Sequence, residues 1–347
     1  MTYILEGLYL GGMEDASDTE QLRRKGVTHI LTVDWRPISR ERRAGFECQF
    51  VSALDTADAD LLSHFSECIG FIEDGRKEGG VLVHCQAGQS RSAAVVVAYI
   101  MKTMSLSLTE AFSLVSRQRP QILPNSGFME QLRLFELMGN KVDPDNEFYR
   151  RHRLRRLAAM MQGASSLGTA IETDVLSADP AVSGSSESEA GAVYKCRKCR
   201  RPLFREGVIM RHPQGRGREA FTWQGSTVRV SYEEETEGME EGSTPCTGTL
   251  FTEPVKWMEQ SILTLEGKLI CPKCQAKLGS FNWAGERCPC GRWITPSFHI
   301  LNGKVDKCLP RIAPQILQRR RLGEREDGIL GEGSMDMTTV VTGQSTT

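Results

Sequence analysis

At 347 residues the chain is long enough for two domains. Its 43 Lys and Arg balance its 44 Asp and Glu, a formal net charge of −1, so nothing global marks a nucleic-acid binder. The opening Met1-Thr2-Tyr3-Ile4-Leu5-Glu6 lacks the basic and apolar regions of a signal peptide, and no apolar run approaches the ~20 residues of a membrane span, so a soluble intracellular protein without membrane contact is expected.

Short strands are expected around Leu8–Leu10 and His29–Val33, with a helix near Asp18–Lys25 between them, and a third strand at Phe50–Ala53. The loop at 55–60 carries three aspartates, Asp55, Asp58 and Asp60. A helix from about Leu61 to Lys77 returns the chain to a buried strand ending in Val81-Leu82-Val83. From Ser92 to Met104 the sequence holds no Gly or Pro and reads as a helix; others follow near Leu108–Arg117 and Gly127–Met138. Strands alternating with helices give an α/β fold with a mainly parallel central sheet flanked by helices. Cys48 and Cys68 lie on apolar faces and read as plain core residues.

The chemistry concentrates between strand and helix, in His84-Cys85-Gln86-Ala87-Gly88-Gln89-Ser90-Arg91-Ser92. A loop feeding a helix N-terminus presents unpaired backbone N–H groups in positive potential, which suits a tetrahedral phosphate; here Gln86, Ala87, Gly88, Gln89, Ser90 and Arg91 would bind it. The same potential and a nearby guanidinium favour thiolate over thiol at Cys85. Arg91 can hold two phosphate oxygens with its planar fork, and Gly88 leaves room for the backbone to close round the ligand. Ser92 can donate its hydroxyl to the sulfur. An activated nucleophile facing a bound phosphate means phosphoryl transfer through a phosphocysteine. A cysteine protease is excluded: His84 and Cys85 are neighbours on a strand and point to opposite faces, so His84 braces the loop rather than serving as base.

His84-Cys85-x-x-Gly88-x-x-Arg91-Ser92 resembles the signature of the protein tyrosine phosphatase superfamily. Glu6-Gly7-Leu8-Tyr9-Leu10-Gly11, Gly26-Val27-Thr28-His29-Ile30-Leu31 and Asn125-Ser126-Gly127-Phe128-Met129-Glu130-Gln131-Leu132 resemble its dual-specificity branch over about residues 1–140. The resemblance implies hydrolysis of phosphoserine, phosphothreonine and phosphotyrosine in phosphoprotein substrates, with no cofactor for catalysis. A carboxylic acid on a mobile loop must protonate the leaving oxygen. Asp55 follows the strand directly and resembles the family's general acid; Asp60 reads as a helix N-cap and Asp58 as a solvated loop residue.

Beyond the catalytic domain, placed at 1–145, a basic helical extension occupies 146–162. Its run Arg150-Arg151-His152-Arg153-Leu154-Arg155-Arg156 reads as a solvated helix end, or as an RNA contact or nuclear signal. Residues 163–191 are rich in Ser, Ala and Gly and read as a flexible linker. Of eleven cysteines, eight lie after residue 195. Cys196-x-x-Cys199 and Cys271-x-x-Cys274 are knuckles with zinc-ligand spacing, Cys288-x-Cys290 adds a tight pair and Cys246 a single. With His212 they make eight ligands, enough for two structural zinc ions; one zinc on four cysteines is the alternative, and Cys308 or His299 could stand in for His212. Their pairing is not legible. A small β-rich zinc-binding domain is expected at 192–312, its thin core held by metal. The acidic run Glu233–Glu241 reads as a loop insertion and 313–347 as a disordered tail.

Tyr194–Arg201, Cys271–Trp283 and Cys290–Pro296 resemble an atypical dual-specificity subgroup with a C-terminal zinc domain. That resemblance implies a role in late maturation of the large ribosomal subunit, the zinc domain binding the pre-ribosome; a monomeric protein of cytoplasm and nucleus is expected. Enzyme and assembly factor rest on different domains and can hold together.

Overall fold

The computed structural model describes residues 1–39, 41, 44–163, 175–183, 191–215 and 246–309. The acidic run, the C-terminal tail and most of the expected linker lie outside them.

Strands β1 (Thr2–Leu5) and β2 (Leu8–Gly11) form a hairpin that turns at Gly7, whose φ of +71° favours glycine. With β3 (Val27–Asp34), β4 (Glu47–Ser52) and β5 (Gly80–His84) they make one sheet in the order β1-β2-β5-β3-β4. Every pairing but the hairpin is parallel. The central strand β5 is buried along its whole length, which is why Val81-Leu82-Val83 is apolar without alternation. Its two faces feed two cores. Val81 and Val83 join Leu8, Leu10, Leu31 and Val33, while Leu82 packs with Val27, Ile30, Ala16 and Leu22.

The second of these cores is covered by α1 (Met13–Ser17) and α2 (Thr19–Arg24), the latter capped by Asp18. The first lies beneath α3 (Phe65–Glu78), α4 (Arg91–Met104), α5 (Leu108–Gln118) and α6 (Ser126–Leu137). Every residue of α4 from Arg91 to Met101 is buried, so this helix is the hub of the layer. The expected helices are present with shifted ends. That expected from Leu61 begins instead as a 3₁₀ turn, Leu62–His64, because the Gln131 side chain takes the Leu61 and Leu62 N–H groups. Strand β1 was not expected; its four residues are too few to show a period. No helix among the described residues is long and apolar enough to cross a membrane.

The basic extension is not a solvated helix end. Helix α7 (Glu147–Gly163) puts Tyr149 into the first core and Leu154, Leu157 and Ala158 into the core of the C-terminal module. Two of its arginines clasp the two modules. Arg156 donates to Asp60, at the end of the aspartate loop, and Arg150 Nε lies 3.0 Å from Glu253 Oε1 on the other module. Burial works against the Asp60 charge, but His152 and Arg156 outweigh it and hold its carboxyl below the ordinary range. The expected linker is also partly built in: Leu176 is buried, Ser177 bridges to Val255, and Asp179 pairs with Arg201 at 2.7 Å.

The C-terminal module is β-rich. One sheet, in the order β8-β13-β10-β9, comprises β8 (Leu250–Phe251), β9 (Glu266–Ile270), β10 (Lys277–Asn282) and β13 (Ser297–Ile300). A second joins β6 (Val193–Cys196), β7 (Pro202–Arg205) and β14 (Val305–Cys308), and β11 (Glu286–Arg287) pairs with β12 (Trp293–Ile294). Trp283, fully buried, centres its core.

The loop after β4 is pinned by close approach of α6. A Cβ at Gly127 would stand 1.9 Å from the Ala57 carbonyl oxygen. Gly127→Ala should therefore push this loop off the helix and cost about 1–3 kcal/mol. Calorimetry of the variant checks this; an unchanged melting temperature would mean that the loop yields freely.

Candidate active site and cysteine clusters

The phosphate loop spans the end of β5 and the start of α4. Its carbonyls are tied outward in succession. Gln86 O accepts from Met13 N, Ala87 O and Gly88 O from the Arg119 guanidinium, and Gln89 O from Leu123 N. In a planar trans peptide the C=O and the following N–H point opposite ways. Anchoring four carbonyls outward therefore turns the N–H groups of Ala87, Gly88, Gln89 and Ser90 toward the space above Cys85. Gly88 has φ +68°, and a Cβ there would meet the Gly11 carbonyl oxygen at 2.4 Å, so no other residue fits this turn.

Cys85 is 1% exposed at the floor of this cradle. Ser92 Oγ donates to its sulfur at 3.1 Å and Gly88 N–H at 3.2 Å. Two donors on one sulfur suit a thiolate better than a thiol. His84 lies beneath, with Thr32 Oγ1 2.8 Å from its Nε2. Burial pushes the His84 pKa down to about 4, so at neutral pH it is an uncharged brace.

Arg91 is buried, and its Nη1 donates to Asp34 Oδ1 at 2.6 Å and to Ala53 O at 3.3 Å. Its Nε has no hydrogen-bond partner. One edge of the fork is thus clamped and another donor is left for a phosphate oxygen. Asp55 stands over the loop, its side chain 39% exposed and able to meet water. Ser90 Oγ, at 2.6 Å, and Asn125 Nδ2, at 2.9 Å, donate to Asp55 Oδ1, and Oδ2 lies 3.7 Å from Arg91 Nε. The other two aspartates are elsewhere. Asp60 accepts from Ser63 N at 3.2 Å, as an N-cap would, and is held by Arg156. Asp58 is exposed, and its carboxyl is held below the ordinary range chiefly by a hydrogen bond from Thr56.

The cysteines of the C-terminal module fall into two sets. Cys196, Cys199, Cys271 and Cys274 form one, and His212, Cys246, Cys288 and Cys290 the other. Four thiolates on a tetrahedral zinc at about 2.3 Å stand ~3.8 Å apart. The Cys196–Cys274 and Cys199–Cys271 sulfurs are 3.7 and 3.6 Å apart and the Cys246–Cys288 sulfurs 3.8 Å. His212 Nε2 lies 3.5 Å from Cys290 Sγ, the shorter spacing that a nitrogen ligand allows. These separations fit a shared ion and are far too long for disulfides. Both clusters could hold zinc. The first fastens β6 to the turn before β10, the second fastens the His212 segment to the β11–β12 hairpin. The stand-ins for His212 lie outside both: His299 Nδ1 is 3.5 Å from Glu286, and Cys308 Sγ is 3.6 Å from Arg200 Nη2. The Arg201 N–H draws the Cys199 pKa down to about 7, while burial pushes Cys271 and Cys288 up to about 12, so a cation must displace protons to bind.

Residues 8–138 match the model of the dual specificity phosphatase catalytic domain. The chain is 43% identical to mouse dual specificity protein phosphatase 12 over 316 residues, 89% of each chain. The chain belongs to the dual specificity phosphatase family. It is 34% identical to the fruit fly dual specificity protein phosphatase MPK-4, over 86% of each chain. It is 33% identical to the tyrosine-protein phosphatase YVH1 of Saccharomyces cerevisiae, over 88% of this chain and 91% of that one. As a dual specificity phosphatase it hydrolyses phosphate from tyrosine and from serine or threonine side chains of phosphoproteins.

Three residues of this phosphatase site escaped the sequence reading. Asn125 fell within a motif yet gave no hint that it reaches Asp55. Arg119, two residues past the end expected for its helix, gave no signal at all. Asp34 gave one: it ends a buried parallel strand, where α/β folds place functional side chains. Asp34→Ala should leave the Arg91 guanidinium buried and misaimed, and about a hundredfold loss in kcat/KM is expected, with a parallel loss of vanadate affinity. Asp34→Asn, which keeps the acceptor, should recover part of both. Equal vanadate affinity in all three proteins would show that Asp34 does not aim the fork.

Proposed function

We propose that hydrolysis runs through a phosphocysteine. The Cys85 thiolate attacks phosphorus in line, and the phosphorus–oxygen bond to the substrate side chain breaks. The Asp55 carboxylic acid gives its proton to the departing oxygen. Water then attacks the phosphocysteine, Asp55 takes up one of its protons, and the sulfur leaves as a thiolate held by Ser92 and the Gly88 N–H. The inward N–H groups of residues 87–90 and the free edge of Arg91 carry the charge that builds on the phosphoryl oxygens. The observation that carries this reading is that Asp55 Oδ2 lies beside Arg91 Nε while the Cys85 sulfur already accepts two hydrogen bonds.

Asp55→Asn should slow turnover roughly 10²–10⁴-fold on phosphopeptides, where the leaving oxygen needs a proton. The loss should be much smaller on p-nitrophenyl phosphate, whose leaving group needs none. Steady-state kinetics on the two substrates decides the matter; equal losses would make Asp55 a structural residue.

The C-terminal module is read as a pre-ribosome-binding unit for large-subunit maturation, acting in a monomeric protein of cytoplasm and nucleus. Support comes from the resemblance of its knuckles to the zinc-bearing subgroup and from two ligand sets of zinc spacing. Two structural zinc ions per chain are expected, each contributing about 10–16 kcal/mol of apparent binding energy as in finger peptides. Elemental analysis should find two, and a strong chelator should unfold this module while turnover of p-nitrophenyl phosphate survives, because every group in the reaction belongs to residues 1–145. Turnover lost in step with zinc would sink this division of labour. Cells carrying Cys85→Ser, or a chain lacking residues 192–347, test the cellular role. If the former restores large-subunit maturation and the latter does not, assembly rests on binding.

A further inference from the structure

At the end of the central sheet remote from Cys85, three ligand-bearing side chains converge that the reaction does not use. His29 on β3, Glu47 on β4 and Glu78, the last residue of α3, bring one imidazole nitrogen and two carboxylate oxygens within 4.8 Å of one another. His29 Nε2 lies 3.5 Å from Glu47 Oε2 and 3.9 Å from Glu78 Oε2. His29 is paired across the sheet with Val81, near the start of β5, whereas Cys85 follows its end, about 13 Å further along the strand.

The imidazole is a fixed and directed ligand. It is 4% exposed, with the Phe71 ring edge-to-face at 5.3 Å. Helix α3 packs so closely that a Cβ at Gly75 would stand 2.7 Å from His29 Cγ. Thr28 Oγ1 donates its one proton to Gly80 O at 3.4 Å and therefore receives the His29 Nδ1–H at 2.8 Å. That leaves a bare lone pair on Nε2 facing two carboxylates. Such a convergence of electron density needs a cation to hold it.

A proton on Nε2 would draw a carboxylate to the ~2.8 Å of a charge-assisted hydrogen bond, closer than either oxygen stands. A metal ion at about 2.0–2.2 Å from each ligand sets tetrahedral ligands roughly 3.3–3.6 Å apart, near the observed spacing. Among the described residues no lysine or arginine pairs with either glutamate. Their side chains are more than two-thirds exposed, free to swing the last few tenths of an ångström onto an ion. A histidine that donates through its other ring nitrogen is the common form of a metal ligand. Imidazole beside carboxylates suits zinc and its transition-metal neighbours, whereas magnesium and calcium take oxygen ligands.

We propose that His29, Glu47 and Glu78 form a further metal site in the catalytic domain, for a divalent transition-metal ion such as zinc, with water in the fourth position. The ion ties the end of α3 and the edge strand β4 to β3 and takes no part in phosphoryl transfer. Three ligands, two of them exposed, hold it less tightly than the cysteine clusters hold theirs, so dialysis removes it and leaves the cysteine-held ions in place.

The test titrates zinc, and separately cobalt(II), into the full chain, zinc-loaded and then dialysed, with magnesium in excess. One further ion per chain should bind. Cobalt there should show the weak visible bands of nitrogen and oxygen ligands without the intense sulfur-to-cobalt charge-transfer absorption of a thiolate site. Glu47→Gln with Glu78→Gln alters exposed side chains alone. It should weaken the further ion about a hundredfold or more, because loss of an outer-shell partner by itself costs roughly 10–100-fold. Cysteine-held zinc and p-nitrophenyl phosphate turnover should be unchanged in it. Thr28→Val removes the hydroxyl that orients the ring and should cost roughly 10–100-fold in affinity. Absence of a further ion in the unaltered protein overturns the proposal, as does an ion that binds the double variant equally well. An affinity lost in the double variant yet unmoved in Thr28→Val would make this a pair of glutamates collecting cations, and would refute the role given to His29.

Discussion

The phosphate site depends on the direction of four carbonyls. A loop of small residues has no intrinsic reason to turn its N–H groups one way. Met13 N, Leu123 N and two nitrogens of Arg119 take the outward oxygens, and planarity of the peptide does the rest. The donors come from three parts of the chain: the first helix, the end of α5 and the segment after it. The loop is thus preorganised before any phosphate arrives, and little reorganisation is left for the reaction to spend.

The same economy governs Arg91. A guanidinium in a buried site is costly unless paired, yet a fully paired one could not bind substrate. Asp34 and the Ala53 carbonyl take one edge, and the Nε is left without a hydrogen-bond partner. Asp55 is treated in the opposite way. It is hydrogen-bonded through a single oxygen by Ser90 and Asn125, while the other oxygen faces Arg91 Nε at 3.7 Å and much of the side chain stays exposed. Under the proposed mechanism Asp55 must exchange protons with water between steps, and its partial exposure suits that role.

Helix α7 joins this chemistry to the metal-ligand module. Arg156 grips Asp60, five residues from Asp55, and Arg150 grips buried Glu253, whose carboxyl burial pushes up against the pull of that arginine. Tyr149 and Leu154 sit in different cores, so one helix is packed into both modules.

Local pattern was enough for much of this. Val81-Leu82-Val83, His84 to Ser92 and the gapless run to Met104 define strand, loop and helix by themselves, because a nucleophile, an anion cradle and a helix start are short-range features. Cysteine spacing likewise marked Cys196, Cys199, Cys271 and Cys274 as candidate ligands, and the fold brings these four together. What it could not say is which knuckle meets which. The pairing of His212 and Cys246 with Cys288 and Cys290 is made by tertiary packing across the module, which no local pattern carries. Asp34, Asn125 and Arg119 became functional only when β3, α5 and α6 were brought round one loop. The basic run of α7 misled for the same reason. Arginines on a helix read as solvated until the acids that face them, Asp60 and Glu253, arrive from distant parts of the chain. Composition fixes what a side chain can do, but its partner, and hence its role, is decided by tertiary packing.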